Sequence, residues 1–170
     1  MKFIIFNGCS CSGKSTIIKN ILNQREKCYH LSEDSLKWQF SQFKPDVHSD
    51  DVTTLLNAVA ESICNMKYDI LCDTSRYRKN REELLKVPRK HNYEVIEINL
   101  DVDYEILEKR FDERVAKALV SDSKRIRNTS KERFKEIYDN YQNDKNNSAI
   151  SFKTDEQDVD LITAEVLKLF

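Results

Sequence analysis

From residue 8 to residue 16 the chain reads Gly8-Cys9-Ser10-Cys11-Ser12-Gly13-Lys14-Ser15-Thr16, a run that holds both glycines of its 170 residues. The spacing fits G-x-x-x-x-G-K-[ST], a loop that encloses phosphate by turning backbone N–H groups inward. Glycine at positions 8 and 13 keeps side chains out of the way of that turn. Lys14 would then reach the β- and γ-phosphates, Ser15 would offer its hydroxyl to Mg²⁺, and Thr16 would lie nearer the α-phosphate. The positive end of a helix beginning near Gly13 adds a fixed partial charge facing the anion. The chemistry predicted is nucleotide binding.

Such a loop works only between a strand and a helix, and the flanks supply both. Phe3-Ile4-Ile5-Phe6 precedes it, and Ile17, Ile18, Ile21 and Leu22 follow on one helical face over about 14 to 24. Further on, Cys28-Tyr29-His30-Leu31 reads as a strand running into Ser32-Glu33-Asp34, and a helix from near Asp34 should end by Pro45. Leu55, Leu56, Val59, Ala60, Ile63 and Met66 recur at helical spacing. Strands are expected at 68–72 and 93–100, separated by a charged helix over about 78 to 90. A helix capped by Asp103 should bury Leu107, Phe111 and Val115. The basic stretch from about 119 to 128 has no apolar period and reads as a loop or cover. Thr129 with Glu132 forms a capping box ahead of Phe134, Ile137, Tyr138 and Tyr141. A last strand at 149–152 leads to a helix expected from near Asp155, with Val159, Ile162, Val166 and Leu169 inward. Alternating strands and helices predict an α/β fold with a parallel sheet covered on both faces, whose ligands bind outside the carboxyl ends of the strands. Those ends carry the glycine loop, Asp34 and Asp73-Thr74.

Composition narrows the function. A mass of 20.1 kDa predicts one domain spanning 1–170, and a net charge of −1 with pI near 6.3 leaves no overall attraction to nucleic acid or anionic membrane. No run approaches the ~20 apolar residues of a membrane span, and Met1-Lys2-Phe3 enters the first strand directly, which predicts a cytoplasmic protein without membrane partners. The five cysteines, Cys9, Cys11, Cys28, Cys64 and Cys72, have no metal-ligand spacing and read as free thiols. Cys9 and Cys11 are either small fillers between the glycines or thiols activated by Lys14 and the helix end.

On the glycine loop, Asp34 after the second strand, Asp73-Thr74-Ser75 after the third, and Leu107-x-x-Arg110-x-x-x-Arg114, the whole chain resembles the small P-loop kinases. The resemblance is to the branch with polynucleotide 5′-hydroxyl kinases, zeta-toxin-like kinases, chloramphenicol phosphotransferase and gluconate kinase. It implies a five-stranded parallel sheet of the P-loop NTPase fold with a helical lid over about 110–130. It also implies ATP and Mg²⁺ as cofactors, and transfer of the γ-phosphoryl group to a hydroxyl-bearing acceptor, a small molecule, a nucleoside or a nucleic-acid 5′ end. Asp34 would be the general base, with a helix cap as its alternative role; Asp73 would hold Mg²⁺ through water or touch the acceptor; Arg110 and Arg114 would neutralise phosphate charge, unless Arg125 or Arg127 displaces them. One departure stands out: polynucleotide kinases tend to carry an arginine three residues after the catalytic aspartate, where this chain has Lys37, a point charge without the bidentate fork. Arg76, Arg78, Lys79 and Arg81 suit either an anionic acceptor or a solvated helix face. Trp38, the single tryptophan, is either core or a stacking surface.

Other classes fit less well. With no N-K-x-D segment and no glycine beyond Gly13, a guanine-nucleotide switch lacks its motifs. A ring or transport motor would need a longer chain and an apolar strand ending in paired acids. A nucleoside-monophosphate kinase, whose acceptor is already a phosphate, would need no base at Asp34.

Overall fold

A computed structural model of the chain describes residues 1–73, 81–120 and 130–170, with residues 81 and 118–120 described as backbone only. Five strands, β1 (Lys2–Asn7), β2 (Cys28–Ser32), β3 (Asp69–Asp73), β4 (Glu94–Asp101) and β5 (Ile150–Lys153), form one sheet in the order β2-β3-β1-β4-β5, with every pairing parallel. Strands buried on two faces read as continuous apolar runs, and β1 divides its side chains accordingly. Phe3 and Ile5 join Leu56, Ala60, Ile63, Leu84 and Leu85 under the helices α3 (Pro45–Asn65) and α4 (Arg81–Lys90). Ile4 and Phe6 join Ile17, Ile18, Ile21, Ile162 and Val166 under α1 (Lys14–Leu22) and α7 (Val159–Leu167). Ile17, Ile18 and Ile21 are fully buried, each contributing about 1.5–3 kcal/mol, so the helix behind the glycine loop is bolted to the sheet. A third cluster, Cys9, Val102, Leu107, Phe111 and Phe134, seats α5 (Tyr104–Val120) and α6 (Lys131–Asp144) beside the loop. Among the described residues no helix is long and apolar enough to cross a membrane.

Several expected boundaries move, each for a local reason. The short helix after β2, α2 (Glu33–Lys37), is capped by Ser32, whose Oγ accepts the Ser35 N–H at 3.2 Å, so Asp34 sits inside the first turn and not at the cap. That helix has ended at Lys37, before Pro45 as expected, and Pro45 itself occupies the first turn of α3, where its missing N–H costs nothing. Within α3, Leu55 is exposed and Met66 lies past its end at 56% exposure, while Val52 and Cys64 complete the buried stripe instead. For α6 the cap is Ser130, accepting the Arg133 N–H, while Glu132 takes the Ser130 hydroxyl. The expected partner, Thr129, lies outside the described residues, as do Thr74, Ser75, Arg76, Arg78, Lys79, Lys124, Arg125 and Arg127. The last helix begins at Val159, capped by Asp158, because Asp155 is otherwise engaged: its Oδ2 accepts the Asp103 N–H at 2.8 Å at the start of α5.

Candidate active site

The loop between β1 and α1 uses its two glycines for different reasons. A Cβ on Gly8 would lie 2.5 Å from Ser12 Oγ and 2.9 Å from the Leu100 carbonyl oxygen, so position 8 has no room for a side chain. Gly13 has nothing within 4 Å of such a Cβ, but its φ of +95° belongs to the left-handed region that glycine adopts without strain. Cys11 holds a positive φ of 69° at the loop's turn without being glycine. The Gly13 carbonyl accepts from Thr16 and Ile17, which starts α1 directly beneath the loop. Ser15 and Thr16 are exposed on that first turn.

Lys14 closes the loop on itself. Its ammonium donates to the carbonyls of Gly8 at 2.7 Å and Cys9 at 2.9 Å, folding back over the cradle that would take the phosphates. The Ser12 hydroxyl is buried without a partner among the described residues. The Ser12 carbonyl is held from outside the loop by Thr154, just beyond β5, whose Oγ1 donates to it at 3.0 Å.

Arg110 and Arg114, one turn apart on α5, serve different parts of this arrangement. Arg110 donates to Thr154 Oγ1 at 3.2 Å and to the Thr154 carbonyl at 2.8 Å, so it braces the threonine that braces the loop. Arg114 reaches the loop itself, with Nη1 3.5 Å from Ser10 Oγ and 3.9 Å from Cys11 Sγ. Nothing in the sequence marked Thr154, since a lone threonine after a strand belongs to no motif.

The acidic residues stand on the neighbouring strand ends. Parallel register places Asp73 opposite Phe6 of β1 and Ser32 of β2, so the Asp73 carboxylate is level with the start of the loop and with the entry to α2. Asp34 is exposed and ion-paired with Lys37, three residues on. The lysine found where an arginine was expected therefore holds the candidate base. The half-buried ring of His30 on β2 is pushed below its ordinary pKa by desolvation, with the Asp73 charge opposing the shift. At the end of β1, the Asn7 amide donates to Asn99 Oδ1 at 3.5 Å, and Asn99 donates to the Asn146 carbonyl at 2.8 Å and to Ser151 Oγ at 3.3 Å. This buried polar strip was hidden within strands that read as apolar.

All five cysteines are free thiols. Cys9 is not activated: burial pushes its thiol up to about 11, and Lys14 only partly offsets the shift. It is a small buried residue packed with Val102, Leu107, Phe111 and Phe134.

A protein-family model described as an AAA domain matches residues 3–142. The motor reading gains nothing from that description, because β3 closes on the single acid Asp73, followed by Thr74. No curated protein matches the chain. Among solved structures, a protein of Chloroflexus aurantiacus to which kinase activity is attributed superposes with a TM-score of 0.73 at 15% identity, covering 98% of this chain and 94% of its own. The APS kinase of Mycobacterium tuberculosis, in complex with AMPPNP and APS, gives a TM-score of 0.66 at 21% identity over 99% and 96%. A chain of the Pnkp1/Rnl/Hen1 RNA repair complex gives 0.68 at 19% identity, covering 84% of this chain and 44% of its own. At these identities the likeness is one of fold.

Proposed function

The chain belongs to the AAA-domain family and has the fold of the small P-loop kinases, and on that premise we propose that it is an ATP-dependent kinase phosphorylating a hydroxyl group. The observation that carries the reading is the register of β1, β2 and β3. It sets the loop of residues 8–16, Asp73 and the Ser32-Glu33-Asp34 turn along one sheet edge. Phosphoryl transfer is mostly positioning and charge neutralisation, and the parts for both are adjacent.

In this reading the backbone from Gly8 to Thr16 cradles the phosphates, and Lys14 exchanges its contacts with the Gly8 and Cys9 carbonyls for phosphate oxygens. Arg114 neutralises charge above the loop, and Arg110 keeps the loop in shape through Thr154. The Ser15 hydroxyl and the Asp73 carboxylate would hold Mg²⁺. Two hard oxygen donors suit an ion that otherwise keeps waters and phosphates, and among the described residues no cluster of three acids, histidines or cysteines offers an all-protein cage. When bound, the ion would supply positive charge to offset that of the phosphate oxygens. Asp34 takes the proton of the attacking hydroxyl, with the stretch from about 110 to 130 serving as the lid of a single 1–170 domain.

The test is ATP consumption with Mg²⁺ across 5′-hydroxyl oligonucleotides, nucleosides, nucleoside monophosphates, sugars and aminocyclitols, with Lys14→Ala as blank. Acceptor-dependent turnover that Lys14→Ala abolishes supports the proposal. Tight nucleotide binding with only slow, acceptor-independent hydrolysis refutes it in favour of a regulatory NTP-binding protein.

A further inference from the structure

Among the described residues, an exposed aromatic surface near the candidate base is built around Trp38. This residue is 39% exposed, whereas Phe3, Phe6, Phe111 and Phe134 are all buried. It follows Asp34 by four residues, which places both on one face of α2 and its C-terminal end. Lys37 connects them: its ammonium pairs with the Asp34 carboxylate and lies 5.6 Å from the centre of the Trp38 ring. A hydrogen bond of ordinary length added to that separation puts the ring within about 9 Å of the carboxylate. Behind Trp38 the rings continue, with Phe43 edge-on at 5.9 Å, His48 5.9 Å from Phe43, and Phe40 5.6 Å from His48. Such bracing holds the indole in place, so little rotamer freedom is lost when something stacks on it.

We infer that the acceptor carries a nucleobase, which stacks on Trp38 while its sugar hydroxyl lies at Asp34. The inference rests on the reading of Asp34 as the base of a hydroxyl kinase. It selects among acceptors because a nucleobase offers a flat π face to match the indole, and among the described residues that indole and the rings behind it lie beside the Asp34–Lys37 pair. That ceiling of about 9 Å keeps ring and carboxylate within reach of a single nucleoside. In the step itself the acceptor oxygen bonds to the γ-phosphorus of ATP, the bond from that phosphorus to the β–γ bridging oxygen breaks, ADP leaves with the electron pair, and the hydroxyl proton passes to Asp34. The nucleobase can belong to a free nucleoside or to a nucleic-acid 5′ end, and among the described residues Lys37 is a nearby cation for a phosphodiester.

Because Trp38 is the single tryptophan, its fluorescence reports this surface alone. The experiment titrates the protein, with saturating Mg²⁺ and a non-hydrolysable ATP analogue, with a 5′-hydroxyl oligonucleotide, with nucleosides and with sugars, and measures steady-state kinetics of Trp38→Ala and Trp38→Phe. Saturable quenching by base-bearing compounds and not by sugars is expected. Trp38→Ala should raise the acceptor KM about 5- to 150-fold, the effect of losing one base–aromatic stack, at unchanged KM for ATP. Trp38→Phe should restore most of it, which a folding defect would not do. Quenching by the oligonucleotide alone identifies a nucleic-acid end, and quenching by both identifies the nucleoside unit as sufficient. No quenching by any base-bearing compound, or an acceptor KM unmoved in Trp38→Ala, overturns the inference. Quenching without turnover on any acceptor upholds the stacking surface and refutes the kinase reading instead.

Discussion

Replacing the two loop glycines by alanine should separate two costs that the motif combines. At Gly13 the added methyl meets open space, so the whole penalty is the left-handed backbone at φ +95°, about 1–2 kcal/mol. At Gly8 the methyl meets Ser12 Oγ at 2.5 Å and the Leu100 carbonyl at 2.9 Å. The first contact is a side-chain end and can yield, but the second is the backbone of β4 and cannot move without the sheet. Gly8 also holds a positive φ of +156°, a strain of about 1–3 kcal/mol for alanine, and overpacking of this kind adds about as much again, which brings Gly8→Ala to about 2–6 kcal/mol. In a domain of this size each 1 kcal/mol is about 2–4 °C of Tm. Thermal unfolding followed by circular dichroism, without nucleotide, should therefore show Gly8→Ala falling clearly below Gly13→Ala. Ser12→Ala alone should be close to neutral, since its buried hydroxyl has no partner to lose among the described residues, and combined with Gly8→Ala it should recover part of the loss. A Gly13→Ala protein as destabilised as Gly8→Ala, or a double variant with no recovery, would refute the reasoning.

Asp34→Asn should lower kcat about 10²- to 10⁴-fold while leaving the nucleotide Kd unchanged, measured by single turnover and equilibrium binding; unchanged turnover on a phosphate acceptor would point to a nucleoside-monophosphate kinase. Thr154→Val removes the donor to Ser12 and an acceptor of Arg110, and should cost about 1–3 kcal/mol and weaken nucleotide binding; an unaltered Tm counts against the brace. His30 is held neutral by burial, so the unfolded chain takes up a proton near its ordinary pKa of about 6.5 before the folded one does. Its contribution to stability is present above that value and lost as pH falls through the lower folded value, and His30→Gln should flatten the fall in Tm between about pH 7 and 5. Cys9, with its thiol up at about 11, should resist iodoacetamide at pH 8 in the folded protein and react on unfolding, as peptide mass spectrometry would show.

What could be read along the chain was whatever depends on neighbours in sequence. The loop, its strand and its helix follow from one run of residues, and the parallel sheet follows from the alternation of apolar strands with amphipathic helices. The placement of Asp34 and Asp73 along one edge was recognisable because strand ends on such a sheet share it. The divergence of Arg110 from Arg114 was not recognisable, because it depends on where β5 delivers Thr154, 44 residues further on. Cap positions slipped by one to three residues wherever two competent side chains stood close together, as at Thr129 and Ser130 or Asp155 and Asp158. The exposure of Trp38 was likewise undecidable in sequence, since an aromatic one turn into a helix packs inward or outward according to the following segment. Here that segment brings Phe40 and Phe43 to the same surface.

The hydrogen bond from Thr154 to Ser12 joins residues 142 apart, between the start of the chain and a segment beyond the last strand. Contacts this distant in sequence form late, after the entropy of closing the intervening chain has been spent. The glycine motif is thus a short word whose final letter is written near the other end of the chain. During synthesis at ~5–20 residues per second the loop waits about 7–30 seconds for the residue that locks its backbone. Nucleotide affinity should therefore appear as one of the last events of folding, after the sheet is assembled, and so serve as a sensitive reporter that β5 has docked.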